Sequence, residues 1–154
     1  MTQSLTLSAV FILFLLYTAL ALSSEAIFTG IADVIRDRRG GKPLNRDLPC
    51  RTSLWSILVY GLSATVAFSL INSFVPGFFL WPWWGRGLIY TVGIYSFEFF
   101  WGAVLEHLTG KCPWHYRDSG WRFWRYLKPE YCWLWFMFGF SLEWIKLSVL
   151  PRML

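Results

Sequence analysis

The sequence predicts an all-α protein, a four-helix transmembrane bundle, and three observations carry that expectation. First, 56% of the 154 residues are apolar and 15% are charged. A soluble domain is about a quarter charged, and one of this size needs wide polar cover because its surface is large for its volume. Second, four apolar runs, 5–31, 53–74, 87–109 and 131–150, reach the ~20 residues a helix needs to cross the hydrocarbon core. Third, the basic residues gather in alternate loops. In lipid a backbone must satisfy its own polar groups, as a helix does. The ~10-residue alternating segments of a membrane barrel are not seen. The same composition excludes a disordered chain, a collagen, a coiled coil, a secreted disulfide scaffold and a nucleic-acid-binding domain. The expected organisation is a single four-span domain over 1–154.

Each span has its own signals. Within span one the apolar start runs into the small residues Ala21, Ser23 and Ser24, as before a signal-peptide cleavage site. It lacks a basic n-region and is long for a signal h-region, so it is expected to be retained. Span two carries no charge. Its Gly61, Thr65 and Ser69 recur every fourth residue and read as a helix-packing face, with Asn72 as a cross-helix hydrogen bond. Between spans two and three, Phe78, Phe79, Trp81, Trp83 and Trp84 surround Pro76 and Pro82 as an aromatic belt at one interface. Ahead of span four, Pro129 suits a first helical turn and Glu130 complements the helix dipole.

Of the fourteen Lys and Arg residues, six lie in the loop 32–52 and five in the loop 110–130. Arg86, Lys146 and Arg152 lie elsewhere. An excess of Lys and Arg marks cytosolic loops, so both basic loops are expected in the cytosol and both termini outside it. Charges placed beside spans anchor orientation and meet anionic lipid. The lipid bilayer is the expected partner and nucleic acid is not. The run Trp121, Arg122, Phe123, Trp124, Arg125, Tyr126 reads as a short interfacial piece on the same leaflet.

The three cysteines, Cys50, Cys112 and Cys132, all fall near the cytosolic face. That compartment is reducing, and no disulfide is expected. Cys112 and His115 have the spacing of half a zinc site, which Cys50 and Cys132 would complete. A second paired motif is missing, so neither a metal nor a cofactor is expected.

The carboxylates are in the informative places. All four Asp lie in the basic loops, whereas Glu25, Glu98, Glu106 and Glu143 lie within spans. A charge at a helix centre costs about 2.5–3.5 kcal/mol even on insertion scales. At ~1.5 Å per residue Glu98 sits roughly 16 Å into span three, near the midplane. Glu98, Gly102 and Glu106 share one stripe of that helix. Gly102 between the two carboxylates allows close approach of another backbone or a ligand. The functional expectation is a polar cavity open to the cytosol, lined by Glu25, Glu98 and Glu106 with Glu143 and His107. The competing expectation is that each Glu bonds a Tyr, Trp or Arg of a neighbouring helix and fixes packing. For Glu106 that partner would be Arg117 or Lys111.

Several stretches have a familiar pattern. They are Leu16-Tyr17-Thr18-Ala19 with Ser24-Glu25 and Phe28-Thr29, then Thr52-Ser53-Leu54-Trp55 with Tyr60-Gly61. The strongest are Arg86-Gly87-Leu88-Ile89-Tyr90-Thr91 with Tyr95, Glu98 and Gly102, and then Cys112-Pro113-Trp114-His115-Tyr116. With Glu143 they resemble the transmembrane protein 229 family, which is similar to a bacterial group labelled putative ABC-transporter permeases. The resemblance spans about Leu16 to Trp144. His115 stands where the family pattern has Asp, which makes a shared role for that position doubtful. The resemblance implies a multi-pass membrane protein of no established activity, transport-related or accessory and lipid-interacting. Gly110-Lys111 lacks the flanking residues of a phosphate-binding loop, so an ATP-driven role would need a protein partner. A second copy of the chain is the other expected associate, because four short helices rarely enclose a pore alone. The alternative is a membrane-embedded enzyme acting on lipid through intramembrane Glu and interfacial His.

Overall fold

The computed structural model describes residues 6–43, 49–50, 52–112, 114 and 125–154. Among the described residues all regular structure is helical. Four helices are long and apolar enough to cross a membrane: α1 (Leu7–Arg39), α2 (Leu54–Phe74), α3 (Trp83–Thr109) and α4 (Pro129–Met153). A short 3-10 turn, Phe78–Leu80, links α2 to α3.

The helix ends depart from the apolar runs, for local reasons. α1 is capped by the Thr6 hydroxyl, which accepts from the Ala9 N–H at 3.2 Å. It continues to Arg39, eight residues past position 31, so the first part of the expected 32–52 loop is helix. Asp33 pairs with Arg36 one turn on at 2.9 Å. Arg36, Arg38 and Arg39 complement the negative end of the dipole. The Gly40 N–H closes the helix on the Arg36 carbonyl at 3.0 Å. Apolarity ends before helix does, because charged residues in helical pairs extend a helix as well as apolar ones.

α3 starts at Trp83, four residues earlier than position 87, with Pro82 at its cap. Proline gives no N–H and has a fixed φ, so it suits a helix start. The Pro82 carbonyl takes the first helical bond, from the Arg86 N–H at 3.1 Å. Trp83 and Trp84 of the expected belt are therefore helical.

α2 and α4 each contain a π turn, Ile57–Leu62 and Ile145–Val149. In α4 the π turn directly precedes Pro151. A mid-helix proline removes a bond and crowds the carbonyl four residues back. A widened turn is a common way to absorb this.

The chain forms two compact units, Met1–Thr65 and Val66–Leu154. In the first, α1 and the start of α2 run antiparallel and pack through Gly61. A Cβ there would fall 1.9 Å from Thr18 Oγ1 and 2.9 Å from the Phe14 ring. Leu13, Tyr17 and Val59 form the core of this unit. Thr65, on the predicted packing face, is buried and donates its hydroxyl to the Gly61 carbonyl of its own helix at 2.7 Å.

In the second unit α3 and α4 are antiparallel. The Phe136 ring fills the space a Cβ would need at Gly87, and Tyr90 does the same at Gly139. Phe78, fully buried, meets Tyr90 edge-on at 5.5 Å, and Phe68 stacks on Tyr90 at 5.4 Å. Ser69, the last member of the α2 stripe, keeps a buried hydroxyl in this unit. Asn72 does not bond across helices as expected. Its Oδ1 accepts from the Gly77 N–H at 3.2 Å and ties down the turn that ends α2. A short polar side chain near a helix end finds a local backbone donor before a distant one.

Candidate functional site: carboxylates along the α3–α4 seam

Three of the four intramembrane carboxylates predicted from the sequence lie in the second unit, in three different settings. At the Trp83 end of the seam, Glu143 accepts from Arg86 Nε at 3.0 Å and from the Tyr90 hydroxyl at 2.5 Å. Both side chains are largely buried, Arg86 at 17% and Glu143 at 11% exposure. Arg86 Nη1 also donates to the carbonyls of Phe79 at 3.0 Å and Trp81 at 2.6 Å. Its guanidinium lies 5.7 Å from the centre of the Phe140 ring. One arginine therefore clasps the 3-10 connector, α3 and α4 together. Nearby, Lys146 donates to the Phe68 carbonyl and sits 5.5 Å from the Phe79 ring centre.

At the other end, where α3 runs into the basic loop, Glu106 pairs with Arg125 at 3.2 Å. It also accepts the Tyr126 hydroxyl. Of the two partners expected for Glu106, Arg117 lies outside the described residues, and Lys111 bonds through its backbone to Thr109. The Arg125 guanidinium lies 4.7 Å from the Tyr126 ring centre and donates to its hydroxyl at 2.6 Å. The Tyr126 ring lies over Gly102, where a Cβ would come within 2.8 Å of Cδ1. The close approach expected at Gly102 is thus made by an aromatic ring.

Glu98 lies between the two clusters and differs from both. It is 6% exposed, and its Oε2 has no hydrogen-bond partner among the described residues. The Trp135 indole lies close enough to the carboxyl to interact with it, although its buried Nε1 completes no hydrogen bond of good geometry among the described residues. The Trp114 indole N–H donates to the backbone carbonyl of Glu98 at 3.3 Å. One turn before Glu98, the Tyr95 hydroxyl reaches the carbonyls of Lys128 and Pro129 at 3.0 and 3.1 Å and fixes the start of α4 against α3. A buried polar atom left unbonded costs about 1–3 kcal/mol, more when charged. Among the described residues, Glu98 is the one of the three seam carboxylates without a cation facing it.

The remaining predicted residues are placed as follows. Glu25 belongs to the first unit, where it accepts from the Thr52 hydroxyl at 2.5 Å. His107 is exposed. Cys112 is half-buried, and burial pushes its thiol up from the ordinary range. Cys50 and Cys132 are exposed. Among the described residues no three His, Cys, Asp or Glu side chains are arranged to hold a metal ion. Pro113, His115 and Tyr116 of the interfacial motif, and 121–124 of the aromatic-basic run, lie outside the described residues.

The sequence indicates the types of partner, Tyr, Trp or Arg, but not which residues they are. Arg86 was counted as a charge, yet it is the basic residue nearest the start of α3. An antiparallel α3–α4 pair brings that position level with the later part of α4, which was the available signal for Glu143. Tyr126 and Trp135 carried no such signal, because aromatics are everywhere in this chain.

Fold and seam together define a class: an all-helical protein with four helices able to cross a membrane, carrying carboxylates on the buried faces of α3 and α4. No protein-family model and no solved structure matches the chain.

Proposed function

We propose that the chain is an integral membrane protein of transport-related type, in which Glu98 is the group that takes up and releases a proton. The observation that carries this reading is the contrast along the seam. Glu106 and Glu143 are each held by an arginine and a tyrosine, whereas Glu98 is buried with an oxygen left unbonded. Intramembrane ionisable groups are expensive and commonly mark ion or proton pathways. A carboxyl that served packing alone would be expected to have its partner, as the other two do.

Insertion is supported by large apolar side chains exposed on all four helices, among them Phe11, Leu58, Phe100 and Met137. A soluble monomer rarely leaves so much contiguous apolar surface in water. The bilayer is therefore the partner proposed for these faces, with anionic lipid at the basic loops and both termini outside the cytosol. The resemblance to the transmembrane protein 229 family points the same way.

The test is proton uptake into liposomes under an imposed gradient, followed with a trapped pH-sensitive dye. Glu98→Gln and Glu98→Leu are each expected to abolish the uptake. Glu98→Gln, which keeps the shape and a polar group beside Trp135, should not lower the melting temperature in detergent. Uptake unchanged in Glu98→Gln would sink the assignment. A lowered melting temperature in Glu98→Leu with normal uptake in Glu98→Gln would return Glu98 to a packing role.

A further inference from the structure

The stripe Glu98–Gly102–Glu106 runs from the buried carboxyl toward the basic-loop end of α3, and one side chain covers it. The Tyr126 ring rests on Gly102, one turn from Glu98, so closely that an alanine Cβ would fall 2.8 Å from its Cδ1 and 2.9 Å from its Cγ. Its hydroxyl bonds Glu106, one turn further on. Phe99 meets the same ring edge-on at 5.9 Å. Tyr126 is only 4% exposed although it belongs to the segment before α4 rather than to a long helix. What holds it there is a latch of charge-assisted contacts: Arg125 bonds both the Tyr126 hydroxyl and the Glu106 carboxylate. These contacts lie at partly exposed side chains, Arg125 at 45% and Glu106 at 30%, where water competes for them. The ring is therefore fixed by bonds that can exchange with solvent, and it sits one turn from a buried carboxyl whose Oε2 has no hydrogen-bond partner among the described residues.

We infer that Tyr126 controls access to Glu98 from the basic-loop end, its ring closing the stripe at Gly102 while the Glu106–Arg125 pair latches it. This rests on the reading of Glu98 as the proton-handling group. It makes Tyr126 a positioning residue, since it acts on access and not on the proton itself. Swinging the ring off Gly102 opens a route between the basic-loop face and Glu98. Re-forming the bonds to Glu106 and Arg125 closes it.

The experiment replaces Cys50, Cys112 and Cys132 by Ser in the full chain and introduces Glu98→Cys. The rate of modification by a membrane-impermeant maleimide is then measured in right-side-out and inside-out vesicles. Modification is expected to be slow with Tyr126 in place. Tyr126→Ala should speed it by at least about tenfold, the population shift of a lost local closure, from one face of the membrane alone. Tyr126→Phe, which keeps the ring and loses the hydroxyl bonds, should give an intermediate rate. Gly102→Ala should also speed the reaction with Tyr126 present, because the added methyl displaces the ring. If Tyr126→Ala loses its melting transition, Gly102→Ala decides. Rates equal to the parent in the folded variants, or raised equally from both faces, would overturn the inference. The readout contains no carboxyl at position 98. A gated cysteine together with unchanged proton uptake in Glu98→Gln would therefore refute the proposed function and leave the gate standing.

Discussion

Cys112 shows how local burial changes the chemistry of a single side chain. It lies just past the end of α3, half-buried. Burial is the largest influence on its thiol and raises the pKa. The Trp114 backbone opposes this, the Glu106 and Glu98 charges add to it and Arg125 subtracts. The thiolate is the nucleophile. A raised pKa means that at neutral pH less thiolate is present than for an ordinary thiol, and that the shortfall is recovered as pH rises. Alkylation of Cys112 by iodoacetamide should therefore lag behind that of the exposed Cys50 at neutral pH. Its rate should keep climbing beyond the pH of about 8.5 at which a free thiol is half ionised. Peptide mass spectrometry across a pH series checks this. A Cys112 rate that levels off near that pH would mean the thiol is not desolvated. Residue identities such as this one were legible in the sequence, and their surroundings were not. Cys112 read equally well as half a metal pair or as a free thiol, because His115 is near in sequence while Glu98 and Arg125 become neighbours only through the fold.

At the scale of elements, one buried clasp ties the Trp83 end of the seam together. Arg86 and Glu143 join the first turn of α3 to α4, with Tyr90 as a second donor. Removing one partner of a buried pair leaves an uncompensated charge and costs about 3–5 kcal/mol, whereas replacing both with apolar residues of similar size is often neutral. Arg86→Met alone should thus destabilise the protein by about that amount. Arg86→Met combined with Glu143→Leu should recover most of the loss. The measurement is a double-mutant cycle on melting in detergent. Independent, additive losses would show that the two side chains do not act as a pair. The existence of the four helices was readable because apolar length is a property of sequence alone. Their ends were less so. α1 outlasts its apolar run through the Asp33–Arg36 pair and the Gly40 closure, and α3 begins early at Pro82. Of the two π turns, the one in α4 has a sequence signal in Pro151, two residues on, and Ile57–Leu62 in α2 has none.

At the scale of the whole molecule, the distribution of charge bears on orientation, and the structure alters its weight. Eleven of the fourteen Lys and Arg residues fall in 32–52 and 110–130, and three fall elsewhere. Two of those three are engaged within the second unit: Arg86 with Glu143, and Lys146 with the Phe68 carbonyl. Arg152 remains as the exposed counterweight. Pairing trims the basic loops as well, where Arg36 and Lys42 meet Asp37 and Arg125 meets Glu106, so what weighs on orientation is the excess left unpaired beside the spans. The expected outcome is that a tag placed after Leu154 is modified by an impermeant reagent on intact cells, while Cys50 is modified only after the membrane is opened. Because Arg86 is committed to Glu143, Arg86→Met with Glu143→Leu should leave this pattern unchanged even though it removes a positive charge. Adding lysines beyond Leu154 should erode it, as C-terminal charges can turn a topology over. Modification of Cys50 on intact cells would reverse the assigned sidedness. It would also place the Tyr126 end of the seam outside the cytosol, so the gated route to Glu98 would open to that side instead.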